Sequence, residues 1–164
     1  MLPVVQLSQT QRPIRMPRST YDIRINRPAA EVFSYISDLE NAPQWESQVA
    51  EAHMSGPVNK GVRGVQVWKR MGRHAAVSVE VVQFEPVRHF AVKGEGGHLQ
   101  FLAGFQFKPA DLATDVHLDL DIQPRGLQRL LWPFTGRAMA RATRSNFRKL
   151  KKMLEAEDGR DKTV

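Results

Sequence analysis

The chain contains no cysteine. That absence excludes disulfides, thiolate zinc sites and cysteine nucleophiles, and it suits a reducing compartment. Long apolar runs are missing as well. No stretch approaches the ~18 consecutive apolar residues of a membrane span. The opening, MLPVVQLSQTQ, lacks the basic start and apolar run of a signal peptide. A soluble, cytoplasmic protein is the expectation. Signatures of metal or nucleophile chemistry are scarce too. The five histidines, His53, His74, His89, His98 and His117, form no HExxH and no i, i+4 pair. No GxSxG elbow occurs. Gly94-Glu-Gly-Gly97 lacks the strand–loop–helix setting of a phosphate cradle and reads as a hairpin turn. No metal and no cofactor are expected.

What is present is enough chain for one domain. The 164 residues can bury on the order of 70 % of their unfolded surface, so no covalent staple is needed. The net charge of +7 is unevenly placed. Nine basic residues fall between Arg125 and Lys152 with no acid among them; subtracting these nine from +7 leaves −2, a mildly acidic body. Arg12, Arg15 and Arg18 lie in a proline-containing segment, residues 1–18, which reads as a flexible arm. Residues 156–164 read as a frayed polar tail.

Between them the hydrophobic period changes twice. Thr20 to Asn26 alternates, with Tyr21, Ile23 and Ile25 on one face, and predicts a strand. Pro28 suits a first helical turn, Glu31 favours its dipole, and Val32, Phe33, Tyr35 and Ile36 form an apolar stripe. Asp38 can cap a second short helix ending near Trp45. A period of two then runs through Val49–Met54, Val62–Lys69, Ala75–Phe84, Arg88–Lys93, Leu99–Phe107 and Val116–Ile122, punctuated by glycine and proline turns. From Leu127 to about Glu155 the period is helical, with Pro133 and Gly136 predicting a break or kink near its start. On that helix Arg137, Arg141, Arg144, Arg148 and Lys152 share one stripe. Met139, Ala142, Thr143, Asn146, Phe147, Leu150, Met153 and Leu154 share the opposite face.

Seven antiparallel strands need a cover for their apolar face, and the long helix has one apolar face to offer. The economical arrangement is an α+β one, a curved sheet wrapped around the C-terminal helix with short helices at one end. A long curved sheet closed by one helix rarely fills completely, so an internal cavity is expected.

The stretch Ile25-Asn-Arg-Pro-Ala-Ala-Glu-Val-Phe-Ser-Tyr-Ile-Ser-Asp-Leu-Glu-Asn-Ala-Pro-Gln-Trp45 carries a Pro-x-x-x-Val-Phe followed by Asp-x-x-x-x-Pro-x-Trp. It resembles the opening of the START-like polyketide cyclase/dehydrase (SRPBCC) superfamily. Val81-Val-Gln-Phe-Glu-Pro86 resembles that superfamily's strand-ending turn, and the long final helix matches it. The likeness spans about residues 20–155 and implies a helix-grip domain, here bounded at 19–155. Function is left open by it, because the fold hosts lipid carriers, ligand sensors, hydrolase-activating factors and ring-forming cyclases.

Alternation sends Val77, Val79, Phe90, Val92, Phe101, Ala103, Phe105, Leu118 and Leu120 inward, to meet Met139, Thr143, Asn146 and Leu150 of the helix. Such a lining would orient an apolar ligand with few hydrogen bonds; the same residues would equally fill a solid core. Asn146 needs partners if buried, and Tyr35, a backbone carbonyl, a water or a ligand could serve. Tyr35 could reach inward from the first helix. Arg63 could do so only if Val62–Lys69 presents its odd positions inward, as Val65 and Val67 suggest and Trp68 disputes. Trp45 would pack near the cavity mouth. Asp115, His117, Asp119 and Asp121 share a strand face. Residues two apart on a strand stand nearly 7 Å apart, so a solvated face explains them better than chelation.

Two functions remain. One is binding of a hydrophobic small molecule, of lipid, isoprenoid or polyketide-like class, with Tyr35, Trp45, Val67, Val77, Val79, Phe90, Phe101, Ala103, Phe105, Leu118, Leu120, Met139, Thr143, Asn146 and Leu150 around it. The other is an aromatase/cyclase-type enzyme in the same cavity, for which Tyr35, Arg63 and Asn146 are the candidate catalytic groups; a poised interior general base is missing. The basic stripe is either a solvated face or a surface for anionic membrane or acidic protein through Arg137, Arg141, Arg144 and Arg148. Trp132 and Phe134 near Arg129 and Arg137 would suit such a membrane surface, or pack on the sheet edge. Nucleic acid is not expected, since no aromatic is interleaved with the stripe.

Overall fold

A computed structural model describes residues 18–157. The expected arm therefore lies outside the described residues, as does the tail beyond Glu157. Ala156 and Glu157, expected in the tail, still belong to the last helix.

The strands form where alternation predicts them, mostly longer by a few residues. They are β1 (Ser19–Ile25), β2 (Val49–Met54), β3 (Arg63–Arg70), β4 (Arg73–Glu85), β5 (His89–Gly96), β6 (Leu99–Ala110) and β7 (Ala113–Pro124). All pair antiparallel in one sheet of order β1-β7-β6-β5-β4-β3-β2. Between β1 and β2 stand α1 (Ala29–Ser37), a 3₁₀ turn (Leu39–Asn41) and α2 (Ala42–Trp45). The Asp38 side chain accepts the Glu40 backbone N–H at 3.1 Å and so starts the 3₁₀ turn, the local hydrogen bond that favours aspartate at such a position. The last helix, α3, runs Gln128–Glu157 as one element. The break expected at Pro133 does not occur. Proline there removes only one intrahelical donor, and the residue is exposed, so no packing is lost with it.

Register fixes which residues share the concave face, because directly opposed residues point to the same side. At one end lie Gln66, Val77, Gly96, Leu99 and Pro124. The next row is Gly64, Val79, Gly94, Phe101 and Ile122. The centre holds Phe90, Phe105, Leu118 and Tyr21, and the far end Phe107, Val116 and Ile23. α1 closes that far end. Its Phe33 ring lies 5.1 Å from Phe107 and 5.5 Å from Phe84.

α3 begins beside Pro124 and is fixed at its other end by two bonds. Lys151 Nζ donates to the Arg24 carbonyl at 2.6 Å, and Glu155 Oε1 accepts the Asn26 N–H at 2.7 Å. From the helix Phe147 drops onto the middle of the sheet. Its ring meets Trp45 at 5.7 Å, Phe105 at 6.4 Å and Tyr21 at 6.5 Å. The middle of the grip, expected to be hollow, is therefore filled.

Candidate functional site

The inner face differs from end to end. Trp45, Val77, Val79, Phe90, Ala103, Phe105, Leu118 and Leu150 are all inward as expected, and all are fully buried within the hydrophobic core. Toward the Trp68 end the cover thins. Phe101, Leu120, Met139 and Thr143 are only half-buried there, as are Trp68, Leu99 and Ile122. The indole of Trp68 stacks on the Phe101 ring, with centroids 5.4 Å apart and planes 23° apart. Gln66 is buried beside them and accepts the Trp68 Nε1–H at 2.9 Å.

Gly94 makes room for this stack. A Cβ at Gly94 would fall 2.1 Å from Phe101 Cε1, well inside contact distance. Gly94→Ala is therefore expected to push Phe101 away from Trp68 and to cost about 1–3 kcal/mol, as overpacking does. Urea unfolding checks the cost, and near-ultraviolet circular dichroism checks the ring displacement.

Next to the stack stands a chain of polar groups. Asn146 is buried on α3, and its Oδ1 accepts the Ser47 backbone N–H at 3.1 Å. Its Nδ2–H donates to Gln48 Oε1 at 2.9 Å, and Gln48 Nε2–H donates in turn to Glu46 Oε2 at 2.8 Å. The Gln48 carbonyl accepts the Lys69 N–H at 2.8 Å, which joins this loop to β3 one residue past Trp68. Asn146 thus ties α3 to the loop after α2. These partners, a backbone N–H and a glutamine side chain, differ from the Tyr35 hydroxyl and backbone carbonyl expected for it.

Glu46 is the group that sequence reasoning missed. It is partly exposed, yet its dense surroundings raise its pKa from 4.5 to about 7 through loss of hydration. No neighbouring charge is among the causes. The carboxyl stands at the C-cap of α2, where Gln48 Nε2–H donates to it.

Three site expectations are corrected. Gln66 is opposite Val77 in the register and Val67 opposite Ala76, so β3 presents its even positions inward. Val67 and Arg63 therefore lie on the outer face, where Arg63 Nε pairs with Glu80 Oε2 at 3.2 Å and stays 76 % exposed. Tyr35 does not reach inward with its hydroxyl, which donates to Gln44 Oε1 of α2 at 2.9 Å.

The outer face is solvated and laced with cross-strand pairs. Arg24 holds Asp115 through two bonds of 2.7 Å, which keeps the Asp115 carboxyl below its usual range. His117 Nδ1 lies 2.6 Å from Asp22 Oδ1. A shallow concavity of about 530 Å³ lies over these residues, and another of about 460 Å³ between α1 and the β2–β3 turn. Among the described residues no three His, Asp or Glu side chains gather as a metal site.

Comparison with known proteins agrees with this architecture. The family model described as "Polyketide cyclase / dehydrase and lipid transport" matches residues 16–155. No curated protein matches. Among solved structures, a Thermus thermophilus protein superposes with a TM-score of 0.73 at 19 % identity, covering 86 % of this chain and 99 % of that one. A START superfamily protein from Mycobacterium smegmatis gives 0.65 at 17 % identity, covering 85 % and 95 %. The Zhui aromatase/cyclase of a Streptomyces species gives 0.73 at 10 % identity, covering 85 % and 93 %. At these identities the likeness establishes the fold, and the family match, which spans most of the chain, establishes the lineage: this helix-grip protein belongs to the polyketide cyclase / dehydrase and lipid transport family.

Proposed function

We propose that the protein binds an apolar small molecule, of lipid, isoprenoid or polyketide-like class, against the open end of its inner face. The observation that carries this reading is the Trp68–Phe101 stack, a pair of large rings held half-buried on a concave apolar surface. Rings stacked with one face accessible offer a flat apolar platform. Gln66, which bonds the Trp68 indole, is the polar group beside it that would fix a ligand's orientation. Met139 and Thr143 of α3 share the inward stripe with Asn146 and Leu150 and would close over such a ligand. Native mass spectrometry of freshly purified protein, followed by solvent extraction, tests the proposal. A non-covalent adduct that extracts as an apolar compound is expected. Bare protein that also fails to take up any of a panel of fatty acids, isoprenols and polycyclic aromatics would overturn it.

A second reading, cyclisation of a polyketide-like chain, is favoured by Glu46 alone. Below its pKa of about 7 the group can donate a proton, and above it accept one. A shaped apolar surface with one positioned acid/base is the minimum such chemistry needs. Turnover of a poly-β-keto thioester analogue, lost in Glu46→Gln while binding of the analogue persists, would support this reading. Absence of turnover in the native protein would remove it and leave the binding proposal standing.

A further inference from the structure

The solvent face of α3 changes character along its length. Leu127, one residue ahead of the helix, and Leu130, Leu131 and Phe134 within it recur at i, i+3, i+4 and i+7, so they form one stripe. They are 74, 75, 52 and 78 % exposed. Scattered exposed leucines are ordinary, but a contiguous exposed patch marks a contact surface. On the same side of the helix the stripe continues as Arg137, Arg141, Arg144, Arg148 and Lys152, all exposed. No described carboxylate pairs with these five side chains, and no acid lies between Arg125 and Lys152. The stripe is therefore two turns of apolar side chains followed by four turns of unneutralised positive charge.

Trp132 belongs to the opposite side. Its ring lies over Gly136, where a Cβ would stand 3.2 Å from the indole. Among the described residues, nothing covers the outward stripe. A second copy is a poor occupant. The apolar part spans only about 10 Å of helix, short of the ~800 Å² per partner of a stable interface. A longer parallel contact along α3 would set one basic stripe against another, and an antiparallel contact centred on the stripe would set arginines against the apolar side chains. An anionic lipid surface suits both parts, since apolar side chains enter the acyl boundary while arginines meet the headgroups. No described helix is long and apolar enough to cross the bilayer, so the contact is one of lying on the surface.

We propose that the start of α3 is a membrane-docking element, with Leu127, Leu130, Leu131 and Phe134 inserted into the interface of an anionic bilayer and Arg137 to Lys152 held along its headgroups. The proposal stands independently of whether the inner face holds a ligand. The docked segment emerges beside Pro124, at the end of the sheet where Leu99 and Phe101 are half-buried. Docking would bring that open end close to the lipid.

Flotation of the full chain with phosphatidylglycerol vesicles and with phosphatidylcholine vesicles tests this. Binding to the anionic vesicles only, weakened by added salt, is expected. Leu130→Ser/Phe134→Ser and, separately, Arg137→Glu/Arg141→Glu are each expected to weaken binding at least about tenfold, one removing apolar insertion and the other headgroup attraction. All four residues are exposed, so an unchanged melting temperature confirms folding. Four results would overturn the proposal. These are no binding to phosphatidylglycerol, serine variants that bind as the native chain does, a native dimer that the serine variants split, or retention on polyglutamate without vesicle binding.

Discussion

Phe147→Ala is expected to lower stability by about 3–5 kcal/mol, the range for removing a buried aromatic side chain. Phe147 is 4 % exposed and meets three rings from three elements: Tyr21 of β1, Trp45 of α2 and Phe105 of β6. Alanine removes one packing partner from each of the three, and the paired strands around the gap resist closing it. Urea unfolding at fixed pH measures the loss as a fall in midpoint at constant slope. The same variant is expected to gain an apolar void in the middle of the grip, detectable as uptake of a benzene-sized compound that the native protein excludes. A loss below about 1 kcal/mol would mean that the helix does not plug the sheet.

Glu46→Gln should act in the opposite direction, and only above about pH 4.5. The folded carboxyl has a pKa of about 7 against an ordinary 4.5. Between those values the native state binds more protons than the unfolded one, so Glu46 makes stability fall as pH rises. Glutamine stays neutral and keeps the oxygen that accepts from Gln48 Nε2. The stability difference between variant and native protein is then near zero below pH ~4.5. It grows between ~4.5 and ~7 and levels off above, at a gain on the order of 3 kcal/mol. The difference profile isolates this carboxyl from those shifted the other way. Glu80, Glu85, Glu95 and Asp115 are all held below their usual range, mainly by hydrogen bonds from Lys93, Gln83, Gln100 and Arg24 respectively. Their contributions disappear in acid, outside the Glu46 window, and are common to both proteins. A difference profile flat from pH 4 to 8 would contradict a desolvated Glu46.

The architecture was legible because alternation and helical periodicity are backbone geometry written in side chains. Strands such as Leu99–Ala110, with phenylalanines two apart, leave little choice of face. β3 was not legible for the opposite reason. Val65, Val67 and Trp68 make both of its faces apolar, and only pairing with β4 decides that Gln66 and Trp68 point inward. Arg63 and Val67 went to the wrong face by the same ambiguity. Phe147 was visible as part of the apolar stripe of α3, but a stripe does not record how deeply a helix sits. The sheet curvature brings Phe105 within ring contact, and the expected hollow closes there.

Glu46 had no signal at all in the sequence. It follows a four-residue helix, too short for any period, and it is tied through Gln48 to Asn146 of α3, a hundred positions later. Asn146 itself was found by its place on an apolar face, yet its role depended on partners that only folding supplies. Pro133 and Gly136 suggested a break or kink near the helix start; at an exposed position the helix continues through Pro133 as one element.

The central claim is that the open end of the inner face, with Trp68 and Phe101 as its platform, is where an apolar ligand sits. Equilibrium titration with a fluorescent polycyclic aromatic probe tests it on the native protein, Trp68→Ala, Phe101→Ala and the outer-face control Val67→Ala. Loss of one stacked ring contact of about 1.4 kcal/mol corresponds to a tenfold weaker Kd. The account predicts at least that loss for both aromatic variants and an unchanged Kd for Val67→Ala. Equal affinity in all four proteins, or a loss confined to Val67→Ala, would contradict it.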